Sequence, residues 1–216
     1  MDWETKLAEA ERAHDERASS PPEGSERLDL HLAAVGSASW AAGLALAMLG
    51  RREDSAAMLR RAADEYRSSW DVAPAESWGR PLAVLRCALM AGDQAGAEAA
   101  AIRALDEGAA GAASSIARYA AVLALLTVGQ DGEAARLAQG LRGLDDFPAP
   151  VAEALAGIAG RDLEAYELAL RDVLRSFEER DAFLEDTPVA DTVLVLAALA
   201  RARGLEARLS SPLLPP

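Results

Sequence analysis

The sequence predicts an all-α protein of stacked antiparallel helical hairpins closed by a C-terminal capping helix, and three observations carry that expectation. Alanine supplies 51 of the 216 residues while aromatic residues are 5%, so summed helix propensity exceeds strand propensity along most of the chain. Four glycines, Gly50, Gly92, Gly129 and Gly160, follow apolar stretches at spacings of 42, 37 and 31 residues. Five positions after them stand Ser55, Ala97, Ala134 and Ala165, and nine after stand Leu59, Ala101, Ala138 and Ala169. Small side chains recur where two helices of a hairpin must touch. At 51% hydrophobic the chain can bury one continuous core, which argues for a single domain.

Each element is set by local signals. Residues 1–18 read as an N-terminal amphipathic helix, with Trp3, Leu7, Ala10 and His14 on one face at helical spacing. Residues 19–25, SSPPEGS, are the linker, and Ser25 is placed to cap the next helix. The repeat domain then occupies residues 26–204. Its first helix runs from about Glu26 to Leu49 and stops at Gly50, which can adopt a left-handed backbone at no steric cost. A partner helix comes next, about Glu53 to Trp70. Ser77 and Pro81 start the third helix of the domain, which ends at Gly92, and its partner runs to about Asp106. The third hairpin turns at Gly129 and the fourth at Gly160. Thr187 or Asp186 is then the expected N-cap of the capping helix, with Pro188 in its first turn and Gly204 at its end. Val189, Val193, Leu196, Leu199 and Ala200 form its apolar face. Residues 205–216 are an extended tail, in which Leu205, Ala207 and Leu209 alternate with polar residues.

The hairpin period resembles that of tetratricopeptide repeats, with Gly43, Leu46, Gly50, Leu59 and Ala62 the nearest match and residues 26 to 180 the extent. That resemblance implies a right-handed solenoid. A second resemblance lies at the C-terminal end. The acidic turn between Phe177 and Phe183, an alanine-rich helix ending in Arg203 and Gly204, and a tail closing on Ser211, Pro212, Leu213, Leu214 and Pro215 are similar to the bacterial immunity family numbered forty-nine. It implies a helical protein that neutralises a polymorphic toxin.

A formal charge of −13, with Lys6 the only lysine beside 21 arginines, leaves no basic stripe for nucleic acid. The charged start is no signal peptide, no run reaches the length of a membrane span, and a cytoplasmic location is expected. Cys87 is the single cysteine; mid-helix, it reads as an inert small hydrophobe, and a reducing compartment fits it. His14 and His31 lie across the linker without ligand spacing, so no metal site is expected. Glu178, Glu179, Asp181, Glu185 and Asp186 lack calcium-loop spacing and read as a solvated turn. No phosphate loop, nucleophile elbow or zinc-protease motif occurs, so neither catalytic residues nor a cofactor are expected. Trp40, Trp70 and Trp78 read as core anchors.

In the hairpin register the first helices line a mostly apolar groove. Its expected partner-binding residues are Trp40, Leu44 and Met48, then Leu82, Arg86 and Met90, then Tyr119 and Leu123, with Leu126 beyond them. An apolar surface of that extent marks a binding site, so a non-enzymatic module binding a protein or peptide is expected, with Arg86 as polar anchor. Under the immunity resemblance the partner is a basic toxin. In the structural alternative the tail fills the groove or pairs across a homodimer.

Overall fold

Ten α-helices succeed one another in the computed structural model, which describes all residues except Glu23, Ser25 and Glu26. The expected Ser25 cap and the helix start at Glu26 lie outside the described residues. The helices are α1 (Trp3–Ser19), α2 (Leu28–Met48), α3 (Arg52–Val72), α4 (Gly79–Ala91), α5 (Gln94–Asp106), α6 (Ser115–Thr127), α7 (Asp131–Leu141), α8 (Ala149–Gly160), α9 (Leu163–Glu178) and α10 (Asp191–Arg201). No strand occurs among the described residues. From α1 to α9 each helix packs on the next, α4 also touches α6, and α10 returns to α4, α8 and α9.

Local chemistry sets the helix ends. Asp2, Asp93 and Asp162 are N-caps whose carboxylates accept the free backbone N–H groups of the first turn. Gly50, Gly92 and Gly129 take left-handed backbones, at φ of 74°, 67° and 76°. The fourth expected stop is displaced by one residue. Gly160 remains helical and Arg161 takes the left-handed position, at φ 54°. There the Asp162 N–H closes the turn on the Gly157 carbonyl at 2.9 Å, and the Asp162 cap fixes the next helix, so the arginine is held in a conformation glycine would adopt freely.

The small residues are contact points. Ser55 Oγ donates to the Gly43 carbonyl at 2.7 Å, and a Cβ on Gly43 would stand 2.8 Å from Leu59 Cγ. Gly157 is equally tight but against backbone, since a Cβ there would lie 2.8 Å from the backbone nitrogen of Tyr166. Backbone cannot swing aside as a side chain can. Gly157→Ala should therefore cost about 2 kcal/mol by forcing α8 from α9. Gly160→Ala, on the same helix with open space around it, should be neutral or stabilise by about 0.5 kcal/mol. Denaturant melts of the two variants check this; equal effects would mean that α8 and α9 do not meet at Gly157.

α2 has the length and apolarity of a membrane span, with mean hydropathy 1.4 over eighteen residues, against the expectation that no run reaches one. In this fold 67% of that window is buried, between α1 and α3.

The capping helix starts later than expected. Residues 187–190 are not helical, Asp186 is left-handed at φ 48°, and the helix begins at Asp191. Pro188 disfavours helical backbone at Thr187, and the Ala190 N–H is used by the Leu213 carbonyl of the tail at 2.9 Å. Val193, Leu196, Leu199 and Ala200 are all buried, as are Val189 and Ala190 just before the helix. The tail runs on without regular structure; Leu205 is buried, Ser211 donates to Glu178, and Pro216 accepts from Arg52.

Candidate functional site

α4 carries Arg86 and Cys87 at its middle, and α10 is laid against it so that Asp191, in the first turn of α10, pairs with Arg86. A carboxylate there also suits the positive end of the helix dipole. Asp191 is buried, whereas about a quarter of the Arg86 side chain reaches solvent. Burial works most strongly against the guanidinium charge, but Asp191 together with smaller contributions from Tyr119, Cys87 and Tyr66 outweighs it, and Arg86 stays above its ordinary pKa. Burial pushes the neighbouring Cys87 thiol up to about 12 against the pull of Arg86. It pushes the Tyr119 phenol to about 12 as well. Both groups are neutral near pH 7, so the thiol offers no nucleophilic thiolate.

The expected groove residues divide around α10. Trp40, Leu82 and Arg86 line a cleft of about 240 Å³ between α2 and α4, with Ser37, Tyr66 and Leu184 on its walls. Leu44 and Met90 line a second cleft of about 480 Å³, bounded by Leu194 and Ala198 of α10 and by Pro215 of the tail. Tyr119 and Leu123 are buried, the latter completely. Met48 is partly buried against the core. The structure thus brings Trp40, Leu82 and Arg86 together at one cleft and Leu44 and Met90 at another beside α10, and packs Met48, Tyr119 and Leu123 against or within the core.

Three features of the first cleft carry no local sequence signal. Leu184 stands at its rim, 61% exposed. The next two residues, Glu185 and Asp186, are left-handed at φ 52° and 48°, a conformation that costs non-glycine residues roughly 1–2 kcal/mol each. Glu185 is no solvated acid of a loose turn, as its sequence context suggests. Both its oxygens accept from Arg17 at 2.9 Å, and Arg17 also donates to the Ala34 carbonyl at 2.7 Å. Arg80, on the opposite wall, pairs with Asp29 at 3.3 Å. Three arginines and three carboxylates leave the surroundings close to neutral, while the wall of the cleft itself is mostly apolar. Ser37 Oγ and Tyr66 OH are joined at 2.8 Å, and no group among the described residues meets the Nε of Arg86 or of Arg80.

A larger cleft of about 540 Å³ lies between the α3–α4 connection and α5. Its aromatic floor is already covered, because Arg103 stacks on Trp70 at 3.8 Å and pairs with Asp71 and Glu107. Trp40, Trp70 and Trp78 are all buried. His14 contacts Glu65 and Arg61, and no cluster of metal-ligating side chains occurs among the described residues.

No protein-family model, curated protein or solved structure matches the chain.

Magnitudes decide how the two clefts relate to α10. Val189, Val193, Val195, Leu196 and Leu199 are each at most 3% exposed. At about 1.5–3 kcal/mol per buried side chain, lifting this segment forfeits roughly 8–15 kcal/mol, an upper figure that matches the ~5–15 kcal/mol stability of a whole domain. α10 is part of the core. A ligand for this face must use a cleft that α10 leaves open, either that between α2 and α4 or the one beside α10 itself.

Proposed function

We propose that this chain is a non-enzymatic interaction module, a tetratricopeptide-like stack of hairpins that binds a protein or peptide partner in the cleft between α2 and α4. The observation that carries this reading is the composition of the cleft. It has an aromatic and aliphatic floor at Trp40 and Leu82, two part-exposed cations at Arg80 and Arg86, each paired with a carboxylate, and an exposed leucine at its rim. Such a site suits one apolar side chain of a partner with a backbone carbonyl or carboxylate beside it. The net charge of −13 favours a basic partner and a fast encounter. With the likeness of the C-terminal end to immunity proteins, this makes a basic toxin the partner class to try first.

Ala83 on α4 is part-buried in the wall of the cleft. Ala83→Trp should fill the space, and Leu184→Asp should remove the apolar rim; both positions lie outside the fully buried core. Capture from the native lysate at low salt should retain one stoichiometric basic protein with the wild-type chain, at least tenfold less with either variant, and progressively less as salt rises. Equal retention by all three chains at unchanged melting temperatures would place binding elsewhere and overturn this site.

A further inference from the structure

We propose that the second cleft, beside α10, binds an alkyl carboxylate of medium chain length, with its chain among α3, α4 and α10 and its head at Arg52 and Arg201. The proposal is independent of any partner in the cleft between α2 and α4. The side chains lining this cleft divide by chemistry. Its walls are aliphatic: Leu44 and Leu59 are buried, and Leu89, Met90, Leu194 and Ala198 are part-buried along it. Ser55 is the one hydroxyl among them, and it is spent on the Gly43 carbonyl at 2.7 Å. A ligand body that carried hydrogen-bonding groups would give up water and find no side chain on these walls to replace it. The two charged side chains that line the cleft are Arg52, at the first residue of α3, and Arg201, at the last of α10, and both are exposed.

Neither arginine is committed to a carboxylate among the described residues. Their neighbours are: Arg51 pairs with Asp54 and Arg203 with Asp131. Arg52 gives one N–H to the Pro216 carbonyl at 3.3 Å, which leaves most of its five donors open. Two guanidinium groups beside one apolar space call for a single acid at the end of an apolar chain. The net charge of −13 opposes an anion at long range, but salt at physiological strength screens it beyond about 8 Å, so the rim decides. Size sets the chain. At roughly 30 Å³ for a methylene-sized group, the share one water takes in the liquid, a volume of about 480 Å³ admits a chain of about ten carbons with its head.

Calorimetric titration of the full chain with sodium decanoate tests this. One decanoate should bind per chain, on the order of a hundredfold tighter than hexanoate, because each methylene taken from water raises affinity about fourfold. Decylamine, with the same chain and the opposite charge, should bind about tenfold weaker than decanoate or less. No binding of decanoate overturns the proposal. Equal affinity for decanoate and hexanoate overturns it too, since that would be ion pairing at the surface without a seated chain, and so does equal affinity for decanoate and decylamine, since the arginines would then select nothing.

Variants locate the site. Arg52→Gln/Arg201→Gln changes two exposed positions, so it should melt as the wild type does and lose about tenfold in decanoate affinity. Arg52→Lys/Arg201→Lys keeps both charges and should retain most of it. Ala83→Trp, which fills the cleft between α2 and α4, should bind decanoate as the wild type does. Unchanged affinity in the glutamine variant overturns the assignment of the head group to these arginines. Loss of binding in Ala83→Trp with full binding in the glutamine variant would seat the chain in the other cleft, and overturns the proposal as well.

Discussion

Arg86→Ala should lower the stability of the protein by about 3 kcal/mol, at the lower edge of what removing one partner of a buried ion pair costs. The reason is the fate of Asp191, which is buried at the start of α10 and left with an uncompensated charge. About a quarter of Arg86 is open to solvent, and this keeps the figure from the upper end of the range. For a chain of this size the change lowers the melting temperature by roughly 6–12 °C. The double variant Arg86→Met/Asp191→Leu removes both charges and keeps the volume, and it should recover most of the loss. Thermal melts of the single and double variants decide it. If the double variant falls as far as the single one, then packing around position 86, and not the unpaired carboxylate, is what stability depends on.

Alkaline pH should unfold the protein well before its other groups require it. The Cys87 thiol ionises near its ordinary value of 9.0 in the unfolded chain and only at about 12 in the folded one. Tyr119 moves from 10.0 to about 12, and Tyr66 is raised too, in each case because burial disfavours the charged form. A raised folded pKa contributes stability that is complete below the unfolded value. It is lost as pH climbs toward the folded value, because the unfolded state then binds fewer protons. Each group removes about 1.4 kcal/mol per pH unit, so Cys87 and Tyr119 together should cost about 4 kcal/mol by pH 11. Urea melts from pH 8 to 11 measure the slope. In Cys87→Ala the decline should begin near pH 10 instead of 9. An identical onset in the two proteins would mean that the thiol is not buried in the folded state.

The division between what the residues declare locally and what only packing decides is visible at particular positions. The helices and three of the four glycine turns were legible because they rest on neighbours in the chain. Alanine lowers the cost of ordering backbone, an Asp at an N-cap bonds the next turn, and a glycine accepts a left-handed φ. Gly160 and Arg161 mark the edge of that logic. The turn is where the pattern puts it, but which residue bears the strained backbone depends on how α9 is capped. The apolar face of α10 was legible too, since periodicity places Val193, Leu196 and Leu199 on one side whatever they meet.

What they meet was not legible. Arg86 and Asp191 are separated by 105 residues, Arg17 and Glu185 by 168, and Arg203 and Asp131 by 72. Each member looks like one more charge among the 57 Asp, Glu, Lys and Arg residues, and neither its type nor its spacing names its partner. Trp40, Leu82 and Arg86 were expected in an open groove with Leu44, Met90, Tyr119 and Leu123, because the hairpin register puts them on the same side. The return of α10 covers part of that side and leaves two separate clefts. Composition, periodicity and turn chemistry determined by themselves that this chain is helical, where most helices stop and which faces are apolar. Only the tertiary structure decided which apolar face covers which, since burial rewards any pairing of apolar surfaces and selects among them only through complementary shape and buried charge.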